Sequence, residues 1–213
     1  MSPKLHLYLS PGSCALASHI ALQETGLEFS TTEIDAKGGF KAENLHLNPK
    51  GRVPIFEMDG ERITETPAIL TTISALVPDR ELLGSTIIEQ ARAQEWMAWL
   101  CATLHGQAFA CLFRPMRFVG DESVYDAVKD RGRECVQECF QYIEEKLEGR
   151  LHAVGEDFTL VDAYLYVFFR WGNSMRLGMG EKYPNYTRLV EKVVKRGSVK
   201  KAVEAEGIDF LND

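Results

Sequence analysis

The sequence lacks the hallmarks of membrane and nucleic-acid-binding proteins. No apolar run approaches the ~18 residues that a membrane helix needs, and no basic region followed by an apolar stretch opens the chain. Lys and Arg number 24 against 31 Asp and Glu, so the formal net charge is −7. A surface of this sign repels phosphate backbones and anionic lipid headgroups. We therefore expect a cytoplasmic protein whose main partner is neither nucleic acid nor a membrane.

Motifs of metal, nucleotide and serine-hydrolase chemistry are also missing. The sequence has no cluster with metal-ligand spacing, no Gly-rich phosphate loop and no Ser-His-Asp order. Its five cysteines form no C-x-x-C pair, and an odd number without an export signal indicates free thiols. We predict no bound metal.

The first 80 residues show the pattern of a small mixed sheet. Leu5–Leu9 alternates Leu with other residues, as a half-buried strand does. A helix is predicted from Cys14 to Thr25 with Gly26 as its left-handed stop, and a second strand from Phe29 to Ile34.

A hairpin and a helix are predicted next. Val53–Met58 and Glu61–Thr64 flank Asp59-Gly60, a dipeptide suited to a two-residue hairpin turn. The hydroxyl of Thr66 is expected to cap a helix with proline at its first position. The order βαβ, then ββα, implies an α+β domain over residues 1–80.

The remaining residues, 86–213, are predicted to form an all-helical domain, because apolar residues recur there at three- and four-residue spacing. Thr159 and Asp162 resemble a capping box ahead of the very apolar Ala163–Trp171, the predicted buried central helix. The other predicted helices are Ser85 to about Ala110, Val124–Leu147, Asn185–Arg196 and Ser198–Glu206.

Cys14 is the first candidate for chemistry. It begins the first predicted helix, where unpaired N–H groups and the positive end of the helix dipole stabilise a thiolate. The alternative is a small buried residue in a strand-helix turn. The other four cysteines, Cys101, Cys111, Cys135 and Cys139, fall on helical stripes and are interpreted as core.

Two further segments suit a peptide ligand. Pro54 at the beginning of a predicted strand is compatible with a cis bond, and the backbone of Val53 could pair with an extended peptide if the sheet edge is open. The alternative is a plain strand start. Thr66 at a helix N-terminus suits a carboxylate, while Glu65 suits an amine. The alternative is that both residues only complement their helix.

The end of the long predicted helix supplies the last candidates. His105 suits a donor or proton carrier at a cleft, or a packed helix residue. Arg114 and Arg117 suit a pocket wall, or favour the helix dipole.

Four motifs together give the sequence a family resemblance. In chain order, it is similar to the bacterial beta-class glutathione transferases at Ser10–Ile20, Asn48–Pro54, Thr64–Ile69 and Phe158–Leu165. The similarity extends through Val77–Arg80, Glu95-Trp96, Leu104-His105 and Ala205–Ile208.

The resemblance implies a thioredoxin-like N-terminal domain, an all-helical C-terminal domain, glutathione between them as co-substrate, and a homodimer. It implies that Cys14 lies beside the glutathione sulfur with His105 near it. Val53 and Pro54, joined by a cis bond, would pair with the cysteinyl backbone, and Glu65 and Thr66 would hold the γ-glutamyl end. Lys37 is the best match to a lysine that contacts glutathione.

The sequence departs from the family pattern at three positions. A first-strand tyrosine is replaced by Leu9, a helical asparagine by Ala98, and the lysine after the helical histidine by Gly106. These replacements remove polar contacts, so weaker glutathione binding is expected.

The leading hypothesis is a glutathione transferase. It would conjugate glutathione to a hydrophobic electrophile, exchange disulfides through Cys14, or do both. The alternatives are an interaction protein on the same scaffold, or a non-catalytic protein that sequesters apolar ligands against aromatic and aliphatic side chains, namely Phe109, Leu112, Phe113, Phe118 and Trp171.

Overall fold

A mixed sheet organises the first part of the chain. The computed structural model describes residues 3–36 and 39–212. Within them the sheet has the order β2-β1-β3-β4, with β1 parallel to β2, and β3 antiparallel to both β1 and β4. Its strands are β1 (Leu5–Leu9), β2 (Ser30–Glu33), β3 (Ile55–Met58) and β4 (Glu61–Thr64).

The turn residues behave as the sequence predicts. Asp59 and Gly60 have φ values of 51° and 89°, which let β3 and β4 pair directly through a two-residue turn. Gly26, with φ 71°, ends the first helix in the left-handed conformation. Leu5, Leu7 and Leu9 are buried on one face of β1, so the alternation does mark a half-buried strand.

Helices cover both the sheet and the rest of the chain. The α-helices of the described residues are α1 (Ala15–Thr25), α2 (Thr66–Ala75), α3 (Ile87–Trp99), α4 (Ala110–Phe113), α5 (Tyr125–Lys146), α6 (Leu160–Ser174), α7 (Met179–Lys182), α8 (Pro184–Val193) and α9 (Gly197–Glu206). No strand follows β4 in the described chain. The thioredoxin-like domain followed by a helical domain is therefore confirmed as the architecture.

The prediction of one regular helix from Ser85 to Ala110 was wrong in its second half. Leu100–Phe109 is a π-helix between α3 and α4. Apolar spacing does not distinguish i→i+5 from i→i+4 hydrogen bonding over only 10 residues, so this π-helix could not be predicted from the sequence. The π-helix carries Cys101 and His105.

The expected cap of α2 was also wrong. The helix begins at Thr66, one residue early, and Glu65 occupies the N-cap position with no side-chain hydrogen bond there. Glu65 has φ 75° and ψ 118°, a conformation that non-glycine residues seldom adopt. Such backbone strain persists where the surrounding structure fixes it, often at functional sites.

Helix α6 is the centre of the helical part, as predicted. Its residues from Leu160 to Gly172 are all buried, and its N-terminus has the capping box formed by Thr159 and Asp162. Asp162 is fully buried, and its carboxylate accepts hydrogen bonds from the backbone N–H groups of Ala153 and Thr159. Helix α1 contacts both α6 and α9, so sheet and helical parts share one hydrophobic core.

None of the helices in the described residues combines the length and apolar character that crossing a membrane requires.

Candidate active site

A cavity of about 720 Å³ lies where the sheet part meets the helical part. Its walls come from the β1–α1 loop, the segment before β3, the start of α2, the π-helix and the turn after α4. It brings together Cys14, Val53, Pro54, Glu65, Thr66 and His105, which were predicted as site residues.

The loop before Cys14 is held by the helical part. The Gly12 N–H donates to Glu206 Oε2 at 2.9 Å, and the Gly12 carbonyl accepts from Trp171 Nε1 at 3.0 Å. His19 Nδ1 lies 2.9 Å from the other oxygen of Glu206. Both the N–H and the carbonyl of Gly12 are thus hydrogen-bonded to side chains that lie far away in sequence.

The Cys14 thiol is buried and protonated. Cys14 is the N-cap residue of α1, yet its Sγ donates to the Val53 carbonyl at 3.7 Å. Burial raises the pKa of Cys14 from 9.0 to about 12, and the Thr66 hydroxyl offsets only part of this. Desolvation therefore keeps the thiol protonated in the ligand-free site, where Cys14 is the small buried residue of a strand-helix turn that was the alternative to an activated thiolate.

The backbone before β3 presents Val53 to the cavity. The Val53-Pro54 peptide bond is cis, in agreement with the resemblance. The buried Asn48 side chain donates to the Arg52 carbonyl at 2.7 Å and accepts from the Lys50 N–H at 3.0 Å. These hydrogen bonds fix the loop that leads into Val53.

Glu65 and Thr66 lie at the start of α2 on the cavity wall. The Thr66 side chain is buried, whereas half of the Glu65 side chain is exposed and forms an ion pair with Lys50. The Glu65 carboxylate therefore already binds an ammonium group in the ligand-free structure, as a carboxylate that binds the amine of a ligand must be able to do. The sequence analysis did not identify Lys50 as this partner.

His105 lies on the π-helix against aromatic rings. Its ring centroid is 5.3 Å from that of Trp171 and 5.8 Å from that of Phe168. Burial, followed by the charges of nearby arginines, lowers the pKa of His105 to about 4. The ring is therefore neutral at physiological pH, and a neutral imidazole has one donor and one acceptor nitrogen to offer a ligand.

Four aromatic side chains form part of the cavity wall. Phe109, Phe113, Phe118 and Trp171 line it, whereas Leu112 does not. Phe113 and Phe118 are about half exposed, at 53% and 48%. Exposed rings at a cavity mouth suit an apolar ligand.

Among the lining residues that were not predicted from the sequence, one carries a thiol and one a positive charge. Cys101, interpreted as core, lines the cavity from the π-helix. Arg52 also lines it, beside the predicted Arg114 and Arg117. The only signal for Arg52 was its place next to Val53 in the loop motif.

The remaining sequence predictions concern Lys37 and the three departures from the family pattern. Lys37 lies outside the described residues. Leu9 is buried and Ala98 is exposed on α3, and neither lines the cavity. Gly106 does line it, and a Cβ there would lie 2.9 Å from the Cys101 carbonyl oxygen. A lysine at this position would thus require the π-helix to shift.

The described residues contain no group of three or more His, Cys, Asp or Glu side chains placed to hold a metal ion.

Comparisons with known proteins give the family. The family model for the glutathione S-transferase N-terminal domain matches residues 3–74, and the model for the C-terminal domain matches residues 100–196. A curated relative, glutathione S-transferase GstA of Escherichia coli O157:H7, is 32% identical over 210 residues, covering 96% of this chain and all of the relative.

Solved structures of glutathione transferases are similar to this chain over nearly its whole length. A Sulfitobacter glutathione transferase homologue with bound glutathione has a TM-score of 0.89 at 29% identity, covering 97% of this chain and 99% of its own. The beta-class enzyme of Sphingomonas chungbukensis has a TM-score of 0.81 at 32% identity, covering 96% of this chain and all of its own. The chain belongs to the glutathione S-transferase family.

Proposed function

We propose that this protein binds glutathione in the cavity and uses its thiolate for conjugation to an electrophile, for disulfide exchange through Cys14, or for both. One observation carries the proposal: Cys14, the Val53 backbone and the Glu65-Thr66 pair, which suit three different parts of one peptide, line the same cavity. The bound glutathione in the Sulfitobacter homologue supports it.

The γ-glutamyl and cysteinyl residues of glutathione both have partners of matching chemistry among the described residues. The γ-glutamyl ammonium replaces Lys50 on the Glu65 carboxylate, and the neighbouring α-carboxylate meets the free N–H groups at the start of α2. The cysteinyl backbone pairs with Val53 as an added strand. In family members a lysine that corresponds to Lys37 also contacts glutathione, and we extend that role to Lys37.

Cys14 acts first as a hydrogen-bond donor. In the ligand-free site its S–H group donates to the Val53 carbonyl. When the cysteinyl N–H of glutathione takes that carbonyl, the S–H group becomes available to the glutathione sulfur. A donated hydrogen bond favours the thiolate and lowers its pKa, which is the activation that conjugation needs. The glutathione sulfur then bonds to the electrophilic carbon as the leaving group departs.

Disulfide exchange uses the same contact. A Cys14 thiolate attacks the glutathionyl sulfur of a mixed disulfide, forming Cys14–S–S–glutathione and releasing the other thiol. A glutathione thiolate then attacks this bond, which regenerates Cys14 and yields glutathione disulfide. Cys14→Ala is expected to abolish this exchange, measured with a glutathione mixed disulfide. Conjugation that persists in the variant would show that the S–H donor is dispensable.

Calorimetric titration with reduced glutathione tests the site itself. Because a hydrogen bond to a charged group contributes about 1.5–3 kcal/mol, Glu65→Gln is expected to raise the Kd at least tenfold. Lys50→Gln is the matched control: it removes the competing ammonium, so the affinity is expected to rise or stay the same. Equal binding by the native protein and Glu65→Gln would contradict the placement. Saturable binding without turnover of any electrophile or disulfide would favour the ligand-sequestering alternative.

The assembly and location are also part of this proposal. Ile87 and Ile88 at the start of α3 are 83% and 69% exposed, an apolar surface that fits burial in a homodimer. Sedimentation should then give twice 24.0 kDa, and a species of 24.0 kDa would contradict it.

The described cysteines are all free, which fits the reducing cytoplasm. The domain boundaries, residues 1–80 and 86–213, remain predictions, as does a role in detoxification.

A further inference from the structure

Three arginines surround the cavity of an acidic protein. Arg52 comes from the loop before β3, whereas Arg114 and Arg117 follow α4. Their charges act on one another and on His105, since Arg52 and Arg114 both help to lower the pKa of Arg117, and all three help to lower that of His105. All three side chains line the same cavity, although the chain has a formal net charge of −7.

The part of the chain that the structure describes gives these guanidinium groups no carboxylate partner. None of the three guanidinium groups forms an ion pair with a carboxylate of residues 3–36 or 39–212. The one acidic side chain among the described lining residues is Glu65, and its carboxylate pairs with Lys50. Positive charges that line one cavity without ion-paired carboxylates favour an anionic ligand.

Glutathione does not account for all of this charge. Its reactive form has two carboxylates, one thiolate and one ammonium, and Glu65 with the start of α2 serves the γ-glutamyl end. Arg52 directly precedes Val53, whose backbone is proposed to pair with the cysteinyl residue. Arg114 and Arg117 belong instead to the same short segment as Phe113 and Phe118, and all four side chains line the cavity.

We infer that the second substrate is an aromatic electrophile that carries an anionic group such as a carboxylate, and that Arg114 and Arg117 bind this group while the phenylalanine rings contact the aromatic part. The inference rests on the proposed function and adds the substrate class. Arginine suits this task because its planar donor pair matches a carboxylate. Arg114 is also partly fixed, since its Nη2 donates to the Ala36 carbonyl at 3.4 Å.

A pair of unreactive ligands tests the inference without turnover. We would measure the affinities of para-nitrobenzoate and para-nitrobenzamide, with saturating S-methylglutathione, from the quenching of tryptophan fluorescence. Trp171 lines the cavity and is the expected reporter. The benzoate is expected to bind about tenfold more tightly than the amide, the effect of one charge-assisted hydrogen bond.

Variants test whether Arg114 and Arg117 cause the preference for the benzoate over the amide. The double variant Arg114→Gln with Arg117→Gln is expected to lose the preference while binding the amide as before. Arg150→Gln, which removes an exposed arginine outside the cavity, is the matched control and should keep it. Added salt should weaken benzoate binding alone in the native protein, a readout that does not depend on the variants folding.

Equal affinities in the native protein, or a preference that survives in the double variant, would overturn the inference. Glutathione titration of the same samples separates this failure from that of the proposed function. If the native protein binds and turns over glutathione but ignores the charge of the second ligand, only the substrate class is wrong. If it does not bind glutathione, the proposed function fails, whatever the benzoate does.

Discussion

The buried thiol of Cys14 makes a quantitative prediction about the ligand-free protein. Burial raises its pKa from 9.0 to about 12. A rise of about three pH units lowers the thiolate fraction near neutral pH about 1000-fold. The more basic thiolate is intrinsically more nucleophilic, which recovers about 20-fold. Cys14 should therefore react with iodoacetamide about 50-fold more slowly than an ordinary cysteine, before any loss from restricted access.

Timed alkylation followed by peptide mass spectrometry measures this rate. N-acetylcysteine in the same tube is the reference, and protein unfolded in urea shows the rate without burial. Since a raised pKa keeps the thiol protonated, the Cys14 rate should climb steadily between about pH 7 and about pH 10 without levelling off. Alkylation at neutral pH as fast as that of the reference would refute the reasoning, because the helix N-terminus would then outweigh desolvation.

Further predictions concern the groups around this thiol. Asp162→Ala leaves the buried N–H groups of Ala153 and Thr159 unpaired, so the free energy of unfolding should fall by about 3 kcal/mol; an unchanged urea midpoint would contradict this. Glu206→Gln weakens the hold on Gly12 and should speed alkylation of Cys14 several-fold, whereas an unchanged rate would show that the loop keeps its own shape. His105 has a pKa of about 4, so it is neutral above that pH, and a kcat/KM profile should show no His105 titration between about pH 5.5 and about pH 8.

The local parts of the fold follow from local chemistry. Asp59-Gly60 and Gly26 adopt the positive φ values that their types favour, so hairpin and helix end lie where the sequence predicts. The capping box of α6 could also be predicted from neighbouring residues, since Thr159 and Asp162 lie three residues apart.

The electrostatics of the site could not be predicted in this way. Position at a helix start suggested a reactive Cys14, but its burial depends on the docking of elements far away in sequence. The pairing of Glu65 with Lys50 depends on a loop shape that Asn48 fixes. The three cavity arginines come from two segments that are far apart in sequence, so the meeting of Arg52 with Arg114 and Arg117 is a tertiary property.

The Gly12–Glu206 hydrogen bond has a consequence for the time at which the site forms during synthesis. Its partners are 194 residues apart, and a ribosome adds about 5–20 residues per second. Roughly 10–40 seconds therefore pass between the synthesis of the Cys14 loop and the synthesis of Glu206, which holds that loop in the folded protein. The nascent sheet exposes the face of α1 that α6 and α9 later cover, so a chaperone that binds apolar surface has its substrate during this interval.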